Sequence, residues 1–156
     1  MFTVRPIAKK DAKNCAEILN FIIRQGGTTA YEEPFTENSF DHYYREGSTL
    51  CFVAEKAGRV IGFQGLFDIG DKALSIGSFT DRQKPINGSG RALIERSVKA
   101  AKEKGYQSII ARITSDNEAG LGYYSHFGFS DKYVLYNDHQ RPDGRWVDRV
   151  VKQLLL

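Results

Sequence analysis

Apolar residues recur along this chain with two periods, and each switch between periods marks an element. Phe2 to Ile7 alternates as a strand does. Cys15, Ile18, Leu19, Ile22 and Ile23 then fall on one face of a helix, with Asp11 placed to cap it and Gly26-Gly27 to end it. A loop, GGTTAYEEPF, follows. Thr36 is predicted to cap a short helix carrying Phe40, Tyr43 and Tyr44, stopped at Gly47. Leu50 to Lys56 and Arg59 to Ile69 read as two strands across an Ala57-Gly58 hairpin. Gly70-Asp71-Lys72 turns the chain into a third, Ala73 to Thr80. The polar stretch DRQKPIN leads into a helix from Gly88 to Lys104, with Leu93, Ile94, Val98 and Ala101 inward and Gly105 at its end. Gln107 to Ile113 is apolar enough for a central strand. Asn117 to Phe127 is the last helix, ended by Gly128. Tyr133 to Asn137 and Trp146 to Leu154 are strands across the loop DHQRPDG. The order β-α-α-β-β-β-α-β-α-β-β predicts an α/β fold, a mixed sheet with helices on both faces.

Composition narrows the class further. The 156 residues are the size of one domain, 1–156, large enough to bury a core without staples. Apolar residues make up 41% and charged residues 26%, ordinary for a soluble globule. A net charge of +3 with no long basic block argues against nucleic acid as a partner. No apolar run approaches the ~18 residues of a membrane span. The start, MFTVRPIAKK, lacks the apolar centre of a signal peptide, so the expected location is the cytoplasm. Cys15 and Cys51 sit in apolar patterns and read as buried free thiols. His42, His126 and His139 are scattered, and no metal spacing is present.

Two stretches carry candidate chemistry. Asn87-Gly88-Ser89-Gly90-Arg91-Ala92-Leu93 opens a helix with small residues, so bare backbone N–H groups are available to an anion. Taken alone, this also fits an ordinary glycine-rich helix start. NEAGLGYYSHFGF, from Asn117 to Phe129, places Tyr124 seven residues after Asn117 and four before Gly128. A phosphate cradle followed by a positioned phenol suggests a nucleotide-tailed thioester and a donor for its departing thiolate. A phenol with a pKa of ~10 stays protonated at neutral pH. Asn117 also fits a plain helix cap. Gly120 and Gly122 cost ~1 kcal/mol each inside a helix, so something should pack closely there, either a ligand arm or a neighbouring strand. Tyr123 points about 100° away from Tyr124 and reads as packing.

This order and spacing resemble the GNAT superfamily of acyl-CoA-dependent N-acetyltransferases. The resemblance implies a GNAT fold, with a mixed, mostly antiparallel sheet, and acetyl-CoA as co-substrate with no metal. It implies main-chain contacts from Ser78, Phe79 and Thr80 to pantetheine. It places the pyrophosphate on Ile86, Asn87, Gly88, Ser89, Gly90 and Arg91, the arm against Asn117, and the general acid at Tyr124. Gly88 and Gly90 match the superfamily pattern. Pro85 stands where Gln or Arg is usual and Ile86 where many members have glycine, leaving Lys84 or Arg82 to supply charge.

Thr28-Thr29-Ala30-Tyr31-Glu32-Glu33-Pro34 and Gly144-Arg145-Trp146-Val147-Asp148 look like the TTATFEEEP-type and GRWLD segments of phosphinothricin and methionine sulfoximine acetyltransferases. That branch implies a small amino-acid-like acceptor, with Tyr31 and Glu33 on its pocket wall, whose amine attacks the thioester directly. Two departures stand out. Tyr124 replaces the histidine common in that branch, and ALSIGSFT lacks the glutamate relatives often place there. The base would then be Glu33, relayed water or an already neutral amine. Relatives pair through their C-terminal strands, so a homodimer is expected, with Arg141 or His139 near the other subunit's acceptor loop. Alternatively, Leu154 to Leu156 packs under the first helix. Two rivals remain: a protein N-terminus or lysine as acceptor, and a non-catalytic acyl-CoA-binding module.

Overall fold

A computed structural model describes all residues, Met1–Leu156. One seven-stranded sheet carries the chain, in the order β1-β2-β3-β4-β5-β7-β6. Its strands are β1 Thr3–Pro6, β2 Leu50–Lys56, β3 Arg59–Gly70, β4 Ala73–Thr80, β5 Ser108–Thr114, β6 Ser130–Gln140 and β7 Trp146–Leu155. The helices are α1 Ala12–Gln25, α2 Glu37–Phe40, α3 Ser89–Glu103 and α4 Glu118–His126. Every neighbouring pair is antiparallel except β4 and β5, which are parallel and joined through α3.

Strand alternation divides the core between the two faces. Val53 and Phe63 point to one side and pack with Leu19, Ile22, Phe40 and Tyr44 from α1 and the α2 region. Phe52, Ala54 and Ile61 point to the other and meet Leu93 and Ala100 of α3. Leu74, Ile109, Ala111 and Ile113 continue that second face beneath Ile94, Tyr124 and Phe129. A helix-covered mixed sheet is the outcome the periodicities predict.

The β4–β5 junction positions the site. The two strands pair at only three positions, Ala73–Ser75 against Ser108–Ile110. Beyond them β4 runs on to Thr80 and β5 to Thr114, and the strands part.

Four local expectations change. Asp11 makes no cap bond to α1. Its carboxylate accepts two bonds from Arg5, at 2.7 and 2.9 Å, and one from the Ala8 N–H. A bidentate, charge-assisted pair outcompetes a neutral cap. Thr36 does cap α2, accepting from the Ser39 N–H, but the helix widens to π geometry over Asp41–Glu46 before Gly47. β6 reaches Gln140, because pairing with β7 draws the first three residues of the expected polar loop, Asp138 to Gln140, into the strand. Leu154 and Leu156 pack against the α3–α4 cluster rather than under α1. Both cysteines are buried, and burial pushes the Cys51 thiol up to about 12. No helix is long and apolar enough to cross a membrane.

Candidate active site

A cleft of about 690 Å³ opens where β4 and β5 separate. Alternate residues of an antiparallel strand aim their N–H and C=O groups away from the partner. Past Ser75, β4 has β3 on one side only, so some main-chain groups between Ile76 and Thr80 face the cleft unpaired by a strand. The expected stretch Ser78, Phe79 and Thr80 lies on this edge.

The loop before α3 forms one end. Ile86, Asn87, Gly88, Ser89 and Gly90 all line the cleft. Gly88 is the helix cap, at φ 88°, a left-handed conformation that favours glycine. The Ser89 hydroxyl and N–H both donate to the Ile86 carbonyl, at 2.9 and 3.3 Å, closing the loop on itself. A Cβ on Gly90 would sit 3.0 Å from Tyr123 Cε1. Arg91 departs from expectation in its side chain, which leaves the cleft and lies 5.0 Å over the Phe127 ring. Arg82 turns toward the end of α1, donating to Gln25 and Thr28, while Lys84 stays off the cleft.

Tyr123 does more than pack. Its hydroxyl donates to the Gly90 carbonyl at 2.7 Å and accepts from Gln64 Nε2 at 2.8 Å. Gln64 is fully buried, and its Oε1 accepts from the Ser97 hydroxyl at 2.7 Å. The chain Ser97–Gln64–Tyr123–Gly90 thus fixes the first turn of α3 against α4 and the sheet. Removing one partner of buried polar groups typically costs about 1–3 kcal/mol. Tyr123→Phe, which leaves the buried Gln64 Nε2 without its acceptor, is expected to lower stability by about that much in a denaturant titration.

At the other end, Asn117 caps α4, its Oδ1 accepting from the Gly120 N–H at 2.9 Å. That cap explains Gly120, since a Cβ there would lie 2.5 Å from Asn117 Nδ2. Neither a strand nor any other group comes within 4 Å of a Cβ on Gly122. Tyr124 is buried at the cleft wall, with its hydroxyl 2.7 Å from Ser78 Oγ. Burial pushes its phenol up to about 12, partly offset by the Ser78 hydrogen bond. At neutral pH it carries its proton. Even-numbered β4 residues face α4, so Ser78 reaches Tyr124, whereas Phe79 turns to the α1 side and meets Tyr31.

That opposite side is aromatic. The Tyr31 and Tyr44 hydroxyls are 2.8 Å apart, and the Tyr31 ring meets Phe35 edge-on. Glu33 corrects the sequence-based expectation: it is exposed and does not line the cleft. Glu32 turns inward instead, with Oε2 2.6 Å from His139 Nε2 and 3.1 Å from Arg141 Nη1. Arg141, only 4% exposed, also forms a two-bond pair with Asp116 at 2.7 and 3.0 Å. It further donates to the Thr28 and Thr29 carbonyls and to Thr114 Oγ1. The expected partner-subunit contact is therefore made within one chain: Arg141 and His139 hold their own chain's loop. Sequence spacing could not reveal this, because Arg141 stands in a polar Pro-Asp-Gly turn that reads as solvated. No Asp or Glu lines the cleft, but Arg82, Arg112 and Arg149 do. No group of His, Cys, Asp and Glu is arranged to hold a metal.

A split sheet with a glycine-rich helix start at one end and a buried phenol at the other is the arrangement expected of an acyl-CoA-dependent transferase. The Acetyltransferase (GNAT) family matches residues 15–129, and the chain belongs to that family. It is an acetyltransferase that acts with acetyl-CoA. The chain is 24% identical, over 114 residues, to the ribosomal protein bS18-alanine N-acetyltransferase of Escherichia coli K12, covering 73% of each. An N-acetyltransferase from Staphylococcus aureus Mu50 superposes with a TM-score of 0.88 at 23% identity, over 99% of this chain and 98% of that one. A phosphinothricin acetyltransferase from Sinorhizobium meliloti, solved with AcCoA, superposes at 0.86 and 21% identity, over 99% and 88%.

Proposed function

We propose that the protein acetylates the primary amine of a small amino-acid-like acceptor, of the phosphinothricin or methionine sulfoximine type. The observation that carries this reading is the position of the Thr28–Glu32 loop, tied down by Arg141 on the α1 side of the cleft, opposite the Ser78–Tyr124 pair. A loop fastened by so many bonds suits a bounded pocket better than a long peptide groove. Backbone groups of residues 86–91 hold the pyrophosphate, Arg91 through its N–H alone. Ser78, Phe79 and Thr80 offer main-chain groups to the pantetheine, and Asn117 steadies it. Acetyl-CoA supplies the acetyl group and leaves as its thiol.

Tyr124 donates a hydrogen bond to the departing sulfur. A phenol raised to about 12 is a weaker acid than a thiol of pKa ~8.5, so hydrogen bonding outweighs full proton transfer. Its contribution then falls at the low end of the usual 10²–10⁴-fold range. Tyr124→Phe is expected to lower kcat by about 100-fold with acetyl-CoA affinity unchanged. An equal loss in Tyr123→Phe would mean that Tyr124 only packs. Without a lining carboxylate, the acceptor is taken up as the neutral amine or loses its proton to water.

The reading is tested by following thiol release from acetyl-CoA with free amino acids, phosphinothricin and methionine sulfoximine. Release with peptides alone would favour the second reading, a peptide N-terminus as acceptor, which the relative named for bS18-alanine supports. Absence of release with every amine would leave acyl-CoA binding alone.

The homodimer belongs to the same proposal. Tyr133, Tyr136 and Trp146 are 47%, 76% and 57% exposed along the last hairpin, whose β6 is an open sheet edge. A second copy would cover them. Light scattering at micromolar concentration should give twice 17.6 kDa, and a mass near 17.6 kDa would remove the dimer.

A further inference from the structure

Two arginines on the acceptor side of the cleft have no full set of partners. On β5 the odd residues Ile109, Ala111 and Ile113 face α3 and α4, so Arg112 and Thr114 face the side of the Thr28 loop. β7 registers Arg149 opposite Thr114, and Val151 opposite Arg112. Arg112 and Arg149 are therefore diagonal neighbours on one face, a spacing of about 7–8 Å between backbones that long side chains bridge easily. Both line the cleft. Arg112 is exposed and makes no side-chain hydrogen bond or ion pair. Arg149 has one carboxylate nearby, Asp138 Oδ2 at 3.2 Å from Nε, but off the N–H axis. Its Nε is the single buried side-chain nitrogen or oxygen in the chain without a hydrogen bond.

We infer that Arg112 and Arg149 together bind an acidic group of the acceptor, which makes them specificity-determining residues and restricts the acceptor to amines that also carry an oxyanion. This rests on the acetyl-transfer reading above. Guanidinium forks match carboxylates in two-bond geometry, and one oxyanion can sit between the terminal nitrogens of two forks. Charge balance points the same way. With Arg82 added, three cationic side chains line the cleft, no carboxylate lines it, and only Arg149 has one beside it, Asp138 of β6. A bare ammonium is repelled there, whereas an acceptor with one acidic group is drawn in, and one with two is drawn in further. The same field favours the neutral, nucleophilic form of the amine in a cleft that supplies no carboxylate base.

The test compares amino acids, phosphinothricin and methionine sulfoximine with the amines that lack their carboxylates. Charged hydrogen bonds are worth about 1.5–3 kcal/mol, or roughly 10- to 150-fold. Wild type should prefer each acid over its decarboxylated partner by at least about 100-fold in kcat/KM. Arg112→Gln and Arg149→Gln should each raise KM for the acids by about 10- to 100-fold with kcat nearly unchanged. The double variant should lose the preference, and Arg→Lys at either position should recover part of it. Acetyl-CoA affinity, measured by calorimetry on the same variants, should not move. A wild type that prefers the acid-free amines, or a double variant that keeps its preference for acids, overturns the inference while leaving acetyl transfer intact. If no small amine releases thiol, the acetyl-transfer reading falls. Succinate at millimolar concentration then reads the site directly: binding lost in the double variant upholds the anion site, and binding equal in both, or none, overturns it.

Discussion

Gly90→Glu is expected to abolish measurable acetyl-CoA binding, a loss of at least about 100-fold, or ~2.7 kcal/mol. Two effects combine at this position. A Cβ on residue 90 would stand 3.0 Å from the Tyr123 ring, and that ring cannot simply yield. Its hydroxyl is tied to the Gly90 carbonyl and to buried Gln64, so a shift of the ring pulls apart the network that sets the first turn of α3. The glutamate then adds a negative charge at a helix start whose N–H groups and dipole are suited to an anion. Gly90→Ala separates the two effects, since it introduces the same Cβ without the charge. A calorimetric titration in which Gly90→Glu binds acetyl-CoA like wild type, with an unchanged melting curve, would place the cradle elsewhere.

Arg141→Ala should destabilise the fold by about 3–5 kcal/mol, the usual cost of breaking a buried ion pair from one side. The reason is what the guanidinium leaves behind. Asp116 loses both of its bonds, Glu32 loses one, the Thr29 carbonyl loses its Arg141 bond, and the Thr28 carbonyl keeps only the one from Thr114 Oγ1. The Thr28–Glu32 loop should loosen with them, so KM for the acceptor should rise even where the protein remains folded.

A pH signature distinguishes this from general damage. Hydrogen bonding from Arg141 holds the Asp116 carboxyl below the usual value near 4. A carboxylate whose folded pKa is depressed contributes stability above its unfolded pKa, and that contribution is lost as pH falls through the folded value. The gap between wild type and Arg141→Ala should therefore be full above about pH 5 and shrink as pH falls below about 4. A gap that stays constant from pH 7 to 3 would show that the Asp116 pair contributes little.

Much of the fold was legible because its periodicities are strong. The face Cys15, Ile18, Leu19, Ile22 and Ile23 is buried as one stripe on α1. The hairpin at Ala57-Gly58 falls between β2 and β3, with Ala57 itself at φ 50°. The glycine-rich end of the cleft was legible for a related reason. Gly88 and Gly90 flank Ser89 at a helix start, and both line the cleft. Tyr124 and Asn117 sit on one short helix at a spacing that sequence displays directly.

The side of the cleft walled by the Thr28–Glu32 loop was not legible, because its contacts join residues far apart in the chain. Nothing at Glu32 or Glu33 says which carboxylate turns inward; the choice is made by His139 and Arg141, more than 100 residues later. Nothing at Arg112 and Arg149 says that they share a face; the antiparallel register of β5 and β7 decides it. Tyr123 looked like packing until Gln64, from β3, was brought to its hydroxyl. Local chemistry, meaning periodicity, caps and small residues at a helix start, is written in neighbouring positions and can be read from them. Charge pairing and buried hydrogen bonding depend on which distant strands become neighbours, and only the folded sheet determines that.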